Sequence, residues 1–520
     1  MSALPSHIEA MRRAEFYPGA PADVRLVQTH ISYVFLAGEE VYKVKKAVRF
    51  AFLDFSTLAR RRFFCEEEVR LNRRLAGDVY RGVVAIVRRG DGFALAPIEA
   101  PAAVDYAVHM RRLPAERALS ALLERGAVTP ALIEHLAVHL ARFHAAAENG
   151  PELAAAGDPT RIAALLARDG TEVAALHGET ISAADDAAIL AWCAAALRRH
   201  EALLRRRQRE GRIRDGHGDL RAEHVYSLTD GALVIVDCLE FDATLRQRDV
   251  AADLAFLVMD LDAHARPDLA ARLVAAYATA AADPDLPELI PFYACQRAYI
   301  RGKVDSLTAR ATEVEPAARA AARDSARRLF ALAYRYTWSD ARALVVITGL
   351  SGSGKSTLAA ALAARTGLVH LNSDETRKRL AGLAPTARGG AELYAPPRSA
   401  ATYAALYDGA AATLATGRGV IVDATFQRRV DRDAARAVAA RAGAPLLFVE
   451  CRADEAEIRR RLAARAARGD DASDADWAVY ARQRLHYQPY DADEPHVAID
   501  TARADALAVV EQALRGTTSP

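Results

Sequence analysis

The chain has little of what marks a secreted, membrane or metal-stapled protein. It has five cysteines in 520 residues. They stand at Cys65, Cys193, Cys238, Cys295 and Cys451 with no CxxC pair, which argues against a disulfide framework or zinc site and fits a reducing cytosol. No run approaches the roughly 18 apolar residues of a spanning helix, and MSALPSHIEAMRR has no apolar signal-like core. A cytoplasmic protein without a membrane partner is expected. The formal net charge is only +2, and acidic and basic residues nearly balance after residue 341. No nucleic-acid partner is therefore expected. Lysine is scarce beside arginine, and alanine is abundant, a bias that a GC-rich coding sequence produces without a physical cause. There is no internal repeat and no Gly/Ser-rich linker.

What remains is the text of a globular chain too long for one hydrophobic core. Short β-like runs (VRLVQT, YVFLAG, VYKVKK) open it, followed by a charged helix over 57–76. A hairpin is expected around Gly90-Asp91-Gly92, then a strand, VDYAVHMRRLP. Residues 116–210 and 249–335 carry helical periodicity. Between them lie two β-runs flanking Thr229-Asp230-Gly231. From 343 the pattern changes to alternating strands and helices, which implies a parallel sheet. Two domains follow, 1–335 and 342–520, and the short TWSDARA connection suggests that they touch.

The stretch from Gly349 to Ser356, GLSGSGKS, satisfies G-x-x-x-x-G-K-S/T between a strand and a helix. Gly349, Ser351, Gly352, Ser353 and Gly354 would curl backbone N–H groups round a phosphate. Ser356 and Thr357 open the helix whose positive end faces it. Lys355 would reach the β/γ-phosphates, and Ser356 would ligate Mg²⁺. Asp423 closes the apolar run VIVD, a position for an acidic group near the metal. Asp374, in LNSDETRKRL, would take the proton of an attacking hydroxyl; the plainer reading is an N-cap of that helix. Arg377 and Arg379 follow it as candidate acceptor ligands.

The first half carries HGDLRAEHV, residues 217–225, which has the form of a kinase catalytic loop. Asp219 would orient or deprotonate a hydroxyl, and Asp237, ending ALVIVD, would hold Mg²⁺. Lys43 and Lys45 share one strand face, so either would meet a phosphate. Glu68, or failing it Glu67, would pair with that lysine.

Two resemblances follow from these motifs. Residues 343–500 resemble small P-loop kinases such as gluconate kinase, chloramphenicol phosphotransferase, the zeta toxins and polynucleotide 5′-kinase. That resemblance implies Asp374 as base, Arg461, Arg465 and Arg468 as lid groups, and Mg-ATP as donor, with GTP the alternative. Residues 24–335 resemble the aminoglycoside phosphotransferase and choline kinase superfamily, through VYKVKK, EEEVRLNRRLA, HMRRLP, HGDLRAEHV and IVDCLEFD. It implies a protein-kinase-like α+β domain of two lobes, Asp219 as base, Asp237 as metal ligand and Lys43 as phosphate lysine. Where that pattern has Asn as second metal ligand, this chain has His224, and no glycine-rich loop precedes VYKVKK. Together the halves resemble a bacterial fusion family.

The expected function is ATP-dependent phosphoryl transfer to a small-molecule hydroxyl such as a sugar or antibiotic, with two nucleotide sites. The alternatives are a protein or toxin-like kinase, and a nucleotide-sensing regulator whose first half gates the second. Lesser expectations concern Arg297, Arg301 and Lys303 (acceptor pocket or solvated face), Asp249 and Asp253 (structural), His217 (loop brace), His144 (core) and Cys238 (core).

Overall fold

The amino-terminal β-runs form a meander. Val24–Gln28, Ser32–Ala37 and Glu40–Lys45 pair antiparallel in turn. The strand Tyr80–Arg89 reverses through Gly90-Asp91 into Gly92–Pro97, with Arg89 opposite Gly92. Ala103–Arg111 joins the two hairpins, completing a six-stranded antiparallel sheet. One face is covered by the amino-terminal segment, where Ile8, Met11 and Tyr17 pack on Phe35, Tyr42 and Val44. Strand alternation therefore sends Lys43 and Lys45 to the other face. There the helix Leu58–Ala76 packs Cys65, Val69 and Ala76 against Ala85, Tyr106 and Val108. Thr57 caps that helix by accepting from the N–H of Arg60. These details come from a computed structural model, which describes residues 4–50, 53–312, 314–384, 387, 389–468 and 475–518.

The rest of this unit is helical, with Pro130–Ala146, Ala183–Arg199, Val250–Ala263, Pro267–Ala280 and Leu286–Arg310 as its longer elements. Two small ladders interrupt the helices. Ile213–Asp215 pairs with Gln247–Asp249, and Val225–Ser227 with Leu233–Ile235. They hold the loops of Asp219 and Asp237 between them. This is the two-lobed, kinase-like α+β domain expected.

The chain divides into two units, Met1–Ala333 and Tyr334–Pro520, the boundary falling inside the helix Pro316–Tyr336. The second unit holds five parallel strands in the order Val369–Asn372, Val420–Asp423, Leu344–Thr348, Leu446–Arg452, Val497–Asp500. The central strand, Leu344–Thr348, is buried throughout, as a strand covered on both faces should be. Its carboxyl end feeds the P-loop, and that of its neighbour carries Asp423, so the sheet topology gathers the chemistry at one edge. This is a P-loop NTPase fold. All five cysteines are free and buried. Among the described residues no helix is long and apolar enough to cross a membrane.

Candidate functional site

In the first unit the loop of Asp219 is clamped by one carboxylate. Asp253 accepts from the N–H of His217 at 2.7 Å and of Gly218 at 2.9 Å, and His144 meets it at 3.1 Å. His217 is fully buried; its Nε2 donates to the Val236 carbonyl, so its Nδ1 is free to accept from the N–H of Asp219. His217 thus ties the two acidic loops together. Gly218 has φ +84°, and a Cβ there would lie 2.9 Å from Arg246 Cβ and 3.2 Å from Arg246 Cα. Gly218→Ala is accordingly expected to destabilise this unit by about 2 kcal/mol or more, from left-handed strain and overlap, read as a lower urea midpoint.

Opposite this loop lies a buried charge cluster. Glu68 receives Lys43 at 2.9 Å on one oxygen and Lys45 at 2.7 Å on the other. Lys43 also reaches Asp237 at 2.7 Å, and Lys45 reaches Glu240. The two lysines, equivalent by alternation, are distinguished here. Lys45 is 1% exposed, with both carboxylate partners buried, whereas Lys43 opens toward Asp237. Glu67 instead pairs with Arg70. Two ammonium groups face three carboxyls, one acid in surplus. Burial works against the charged form of Glu68, but both lysines outweigh it and hold that carboxyl below its ordinary value. For Glu240 burial prevails over Lys45 and pushes the carboxyl up. Lys43 holds Asp237 well below the usual carboxylate range. Asp237 adopts φ 63°, a left-handed conformation costly for a non-glycine residue and concentrated at functional sites. Its N–H donates to the Tyr80 hydroxyl, and the N–H of Cys238 to the Asn72 side chain.

His224 closes this site. Its Nδ1 donates to the Asp219 carbonyl at 2.9 Å. A carbonyl only accepts, so in the neutral ring Nε2 carries the lone pair. That nitrogen lies 3.6 Å from Asp237 Oδ2. Two adjacent ligands of an octahedral Mg²⁺ stand about 3 Å apart, so the pair fits a cation with little adjustment. Among the described residues no group of three or more His, Cys, Asp or Glu is placed to hold a metal. Mg²⁺ commonly takes only one or two protein carboxylates and completes its shell with phosphates and water.

In the second unit Gly354 has φ +86°, and a Cβ there would strike Arg461 Nη1 at 2.7 Å and Thr501 Oγ at 2.8 Å. Only glycine lets the loop and the Arg461 helix approach so closely. Lys355 opens the following helix, Lys355–Thr366. It is 8% exposed, and no carboxylate among the described residues pairs with it. Ser356 is half-buried and Thr357 exposed on the same first turn. Asp423 is fully buried. Its Oδ2 accepts from Asn372 Nδ2 at 2.7 Å, while Oδ1 has no partner. A buried carboxylate oxygen left open beside a P-loop fits a cation or its bound water.

The N-cap of the helix Ser373–Leu380 is Asn372, which accepts from the N–H groups of Asp374 and Glu375, so Asp374 is not the cap. Asp374 pairs with Arg377, whose guanidinium covers the Tyr394 ring at 4.6 Å. Arg379 is exposed and is not brought to this cluster. In the helix Glu455–Arg468, Arg461 binds Glu457 at 2.6 Å and Thr501 at 2.8 Å. Arg465 is half-buried one turn on. The side chain of Arg468 lies outside the described residues. The helix Trp477–His486 supplies Gln483, whose Oε1 accepts from the Ser351 N–H of the P-loop at 2.8 Å. Sequence reasoning missed Gln483, Asn372, Glu240 and Tyr80. No spacing signals them, although NSDE is an N-cap pattern that points to Asn372.

The family description "Phosphotransferase enzyme family" matches residues 37–292, and "AAA domain" matches residues 344–490. Along nearly the whole chain, proteins of Mycobacterium tuberculosis (Rv2004c) and Mycobacterium bovis (Mb2027c) are each 31% identical over 484 residues, 92% of this chain and 92% of theirs. The chain belongs to this family of fused phosphotransferases. This chain joins the two matched domains in that order, and each is of kinase type. Among solved structures, the GDP and kanamycin complex of APH(2″)-IIia is 14% identical, covering 62% of this chain and 98% of its own (TM-score 0.37). A gluconokinase from Sinorhizobium meliloti is 22% identical, covering 34% and 94% (TM-score 0.26).

Proposed function

We propose that both units of this phosphotransferase bind Mg-ATP and that each transfers its γ-phosphoryl to the hydroxyl of a small molecule. The observation that carries the two-site reading is the meeting of Lys43 and Asp237 at 2.7 Å, although they lie 194 positions apart in the chain. A vestigial domain has no need to keep a strained aspartate against a buried lysine. In the second unit Lys355 and the P-loop amides would hold the phosphates, and Arg461 and Arg465 lie on the helix that would close over them. Asp374, oriented by Arg377, would accept the proton of the acceptor. In the first unit Lys43 would bind phosphate and Asp219 would take the proton. Mg²⁺ would be held by Asp423 and Ser356 in one site and by Asp237 and His224 in the other. When bound there, it would neutralise charge on the transferring phosphate.

Calorimetric titration of the full chain with Mg-ATP tests this. Two sites are expected, one lost in Lys355→Ala and the other in Asp237→Ala. A single site, lost only in Lys355→Ala, would reduce the first unit to a scaffold or regulator. Transfer of label from ATP to a protein in lysate rather than to a filtrate-sized compound would favour a protein kinase.

A further inference from the structure

The two units offer a cation different atoms. In the first unit the donors are fixed around the His224 ring. The short turn Ala222–His224 sets its backbone, its carbonyl accepts from the Val236 N–H at 3.0 Å, and the residue is 9% exposed. Nδ1 meets acceptors only, the Asp219 carbonyl at 2.9 Å and the Asp219 carboxylate at 3.7 Å. Nε2 also meets acceptors only. Asp237 Oδ2 and Glu223 Oε1 each lie 3.6 Å from it.

A neutral imidazole carries one proton, and the carbonyl at 2.9 Å takes it. The Nε2 lone pair then faces two carboxylate oxygens, which is repulsive unless a proton or a metal cation stands between them. A nucleotide brings its own cation to that gap. The two carboxylates differ in what they can give. Glu223 is half-exposed and already held by Arg221 at 2.6 Å. Asp237 gives Oδ1 to Lys43, which leaves Oδ2 for the gap. One imidazole nitrogen and one carboxylate oxygen therefore converge.

The second unit presents oxygen. His370 Nε2 lies 3.5 Å from Asp423 Oδ2, but Asn372 already occupies that oxygen at 2.7 Å. The open atom is Asp423 Oδ1, with the Ser356 hydroxyl as the other candidate ligand. The difference matters because Mg²⁺ is hard and keeps a shell of oxygens. Imidazole nitrogen suits first-row transition dications better, and affinity for a mixed nitrogen–oxygen site rises from Mn²⁺ along the row to Cu²⁺.

We propose that His224 sets the cation preference of the first unit, so that this site takes nucleotide with a first-row transition dication more tightly than with Mg²⁺. His224 Nε2 and Asp237 Oδ2 are the ligands from the chain, and phosphate oxygens and water supply the others. The second unit, with oxygen donors, has no such preference. This rests on reading the first unit as a nucleotide-binding phosphotransferase.

The test uses the full chain carrying Lys355→Ala, so that only the first unit holds nucleotide, with Mn²⁺ and ADP as the probe. Pulsed electron paramagnetic resonance of the bound Mn²⁺ is expected to show coupling to ADP phosphorus and to a histidine nitrogen, the latter identified with isotopically labelled histidine. Calorimetry then compares ADP binding in Mn²⁺ with ADP binding in Mg²⁺. A preference for Mn²⁺ of about tenfold or more is expected. It should largely vanish in His224→Asn, which puts an amide oxygen in place of the ring nitrogen. With Asp237→Ala in place of Lys355→Ala, the same titration reads the second unit and is expected to show no such preference.

Bound Mn²⁺ without coupling to a histidine nitrogen would overturn the assignment and leave His224 as a partner of Asp237 alone. That spectrum needs no substitution at His224, so it decides the matter even where His224→Asn does not fold. A preference unchanged by His224→Asn, or equal in the second unit, would overturn it too, since the preference would then belong to the nucleotide. No ADP binding to the Lys355→Ala chain with either metal would instead overturn the nucleotide reading of the first unit, and the assignment with it.

Discussion

Lys355→Met is expected to lower phosphoryl transfer by the second unit about 10²–10³-fold while leaving its Tm unchanged or raised. The loss follows from removing a preorganised cation aimed at charge that develops on the transferring phosphate, an interaction worth roughly two to three orders of magnitude in comparable sites. The stability expectation comes from the surroundings of Lys355. It is 8% exposed, and no described carboxylate pairs with it. Replacing it by a chain of similar length removes a desolvation cost without stranding an acid. Label transfer from γ-labelled ATP to filtrate-sized acceptors, measured beside a thermal melt, checks both halves of the expectation. A variant that loses activity only in step with its Tm would show Lys355 to be structural.

The second large effect belongs to Glu68. Glu68→Gln is expected to destabilise the first unit by about 3–5 kcal/mol, the range for removing one member of a buried ion pair. Both its oxygens are engaged, by Lys43 at 2.9 Å and Lys45 at 2.7 Å, and it is 0% exposed. Lys45 retains Glu240, but Lys43 is left with the half-exposed Asp237 alone. Urea unfolding followed by tyrosine and tryptophan fluorescence should show an earlier transition. The Mg-ATP site that depends on Asp237 should be lost in the same variant. An unchanged midpoint would mean that Glu240 alone neutralises the lysines.

Much of both sites is legible as text because part of the chemistry is local. GLSGSGKS compresses a phosphate cradle into eight adjacent residues. HGD marks a loop because Gly218 must accept φ +84° against Arg246. Alternation puts Lys43 and Lys45 on one face, but alternation cannot choose between them. That choice is made by Glu240 and Asp237, about 195 positions away. Asp374 reads equally as cap or base until Asn372 is seen to occupy the cap. Arg297 resembles Arg301 and Lys303 in sequence. Arg301 finds Asp305 one turn on in its own helix, as the spacing shows, but only the packing of other helices gives Lys303 its acids and leaves Arg297 with none among the described residues. Gln483 carries no signal, since its reach to the P-loop depends on a helix more than a hundred residues downstream.

The double grip on Lys45 bears on how this enzyme is controlled. Lys45 joins Glu68, on the helix Leu58–Ala76, to Glu240, three residues beyond Asp237. In protein kinases, activity is switched by swinging the equivalent helix so that its lysine–glutamate pair breaks and re-forms. Here the same swing would strand buried charges on the helix and on the acidic loop at once. The helix Leu58–Ala76 is thus tied by charge to the acidic loop, and moving it away on its own carries an electrostatic cost.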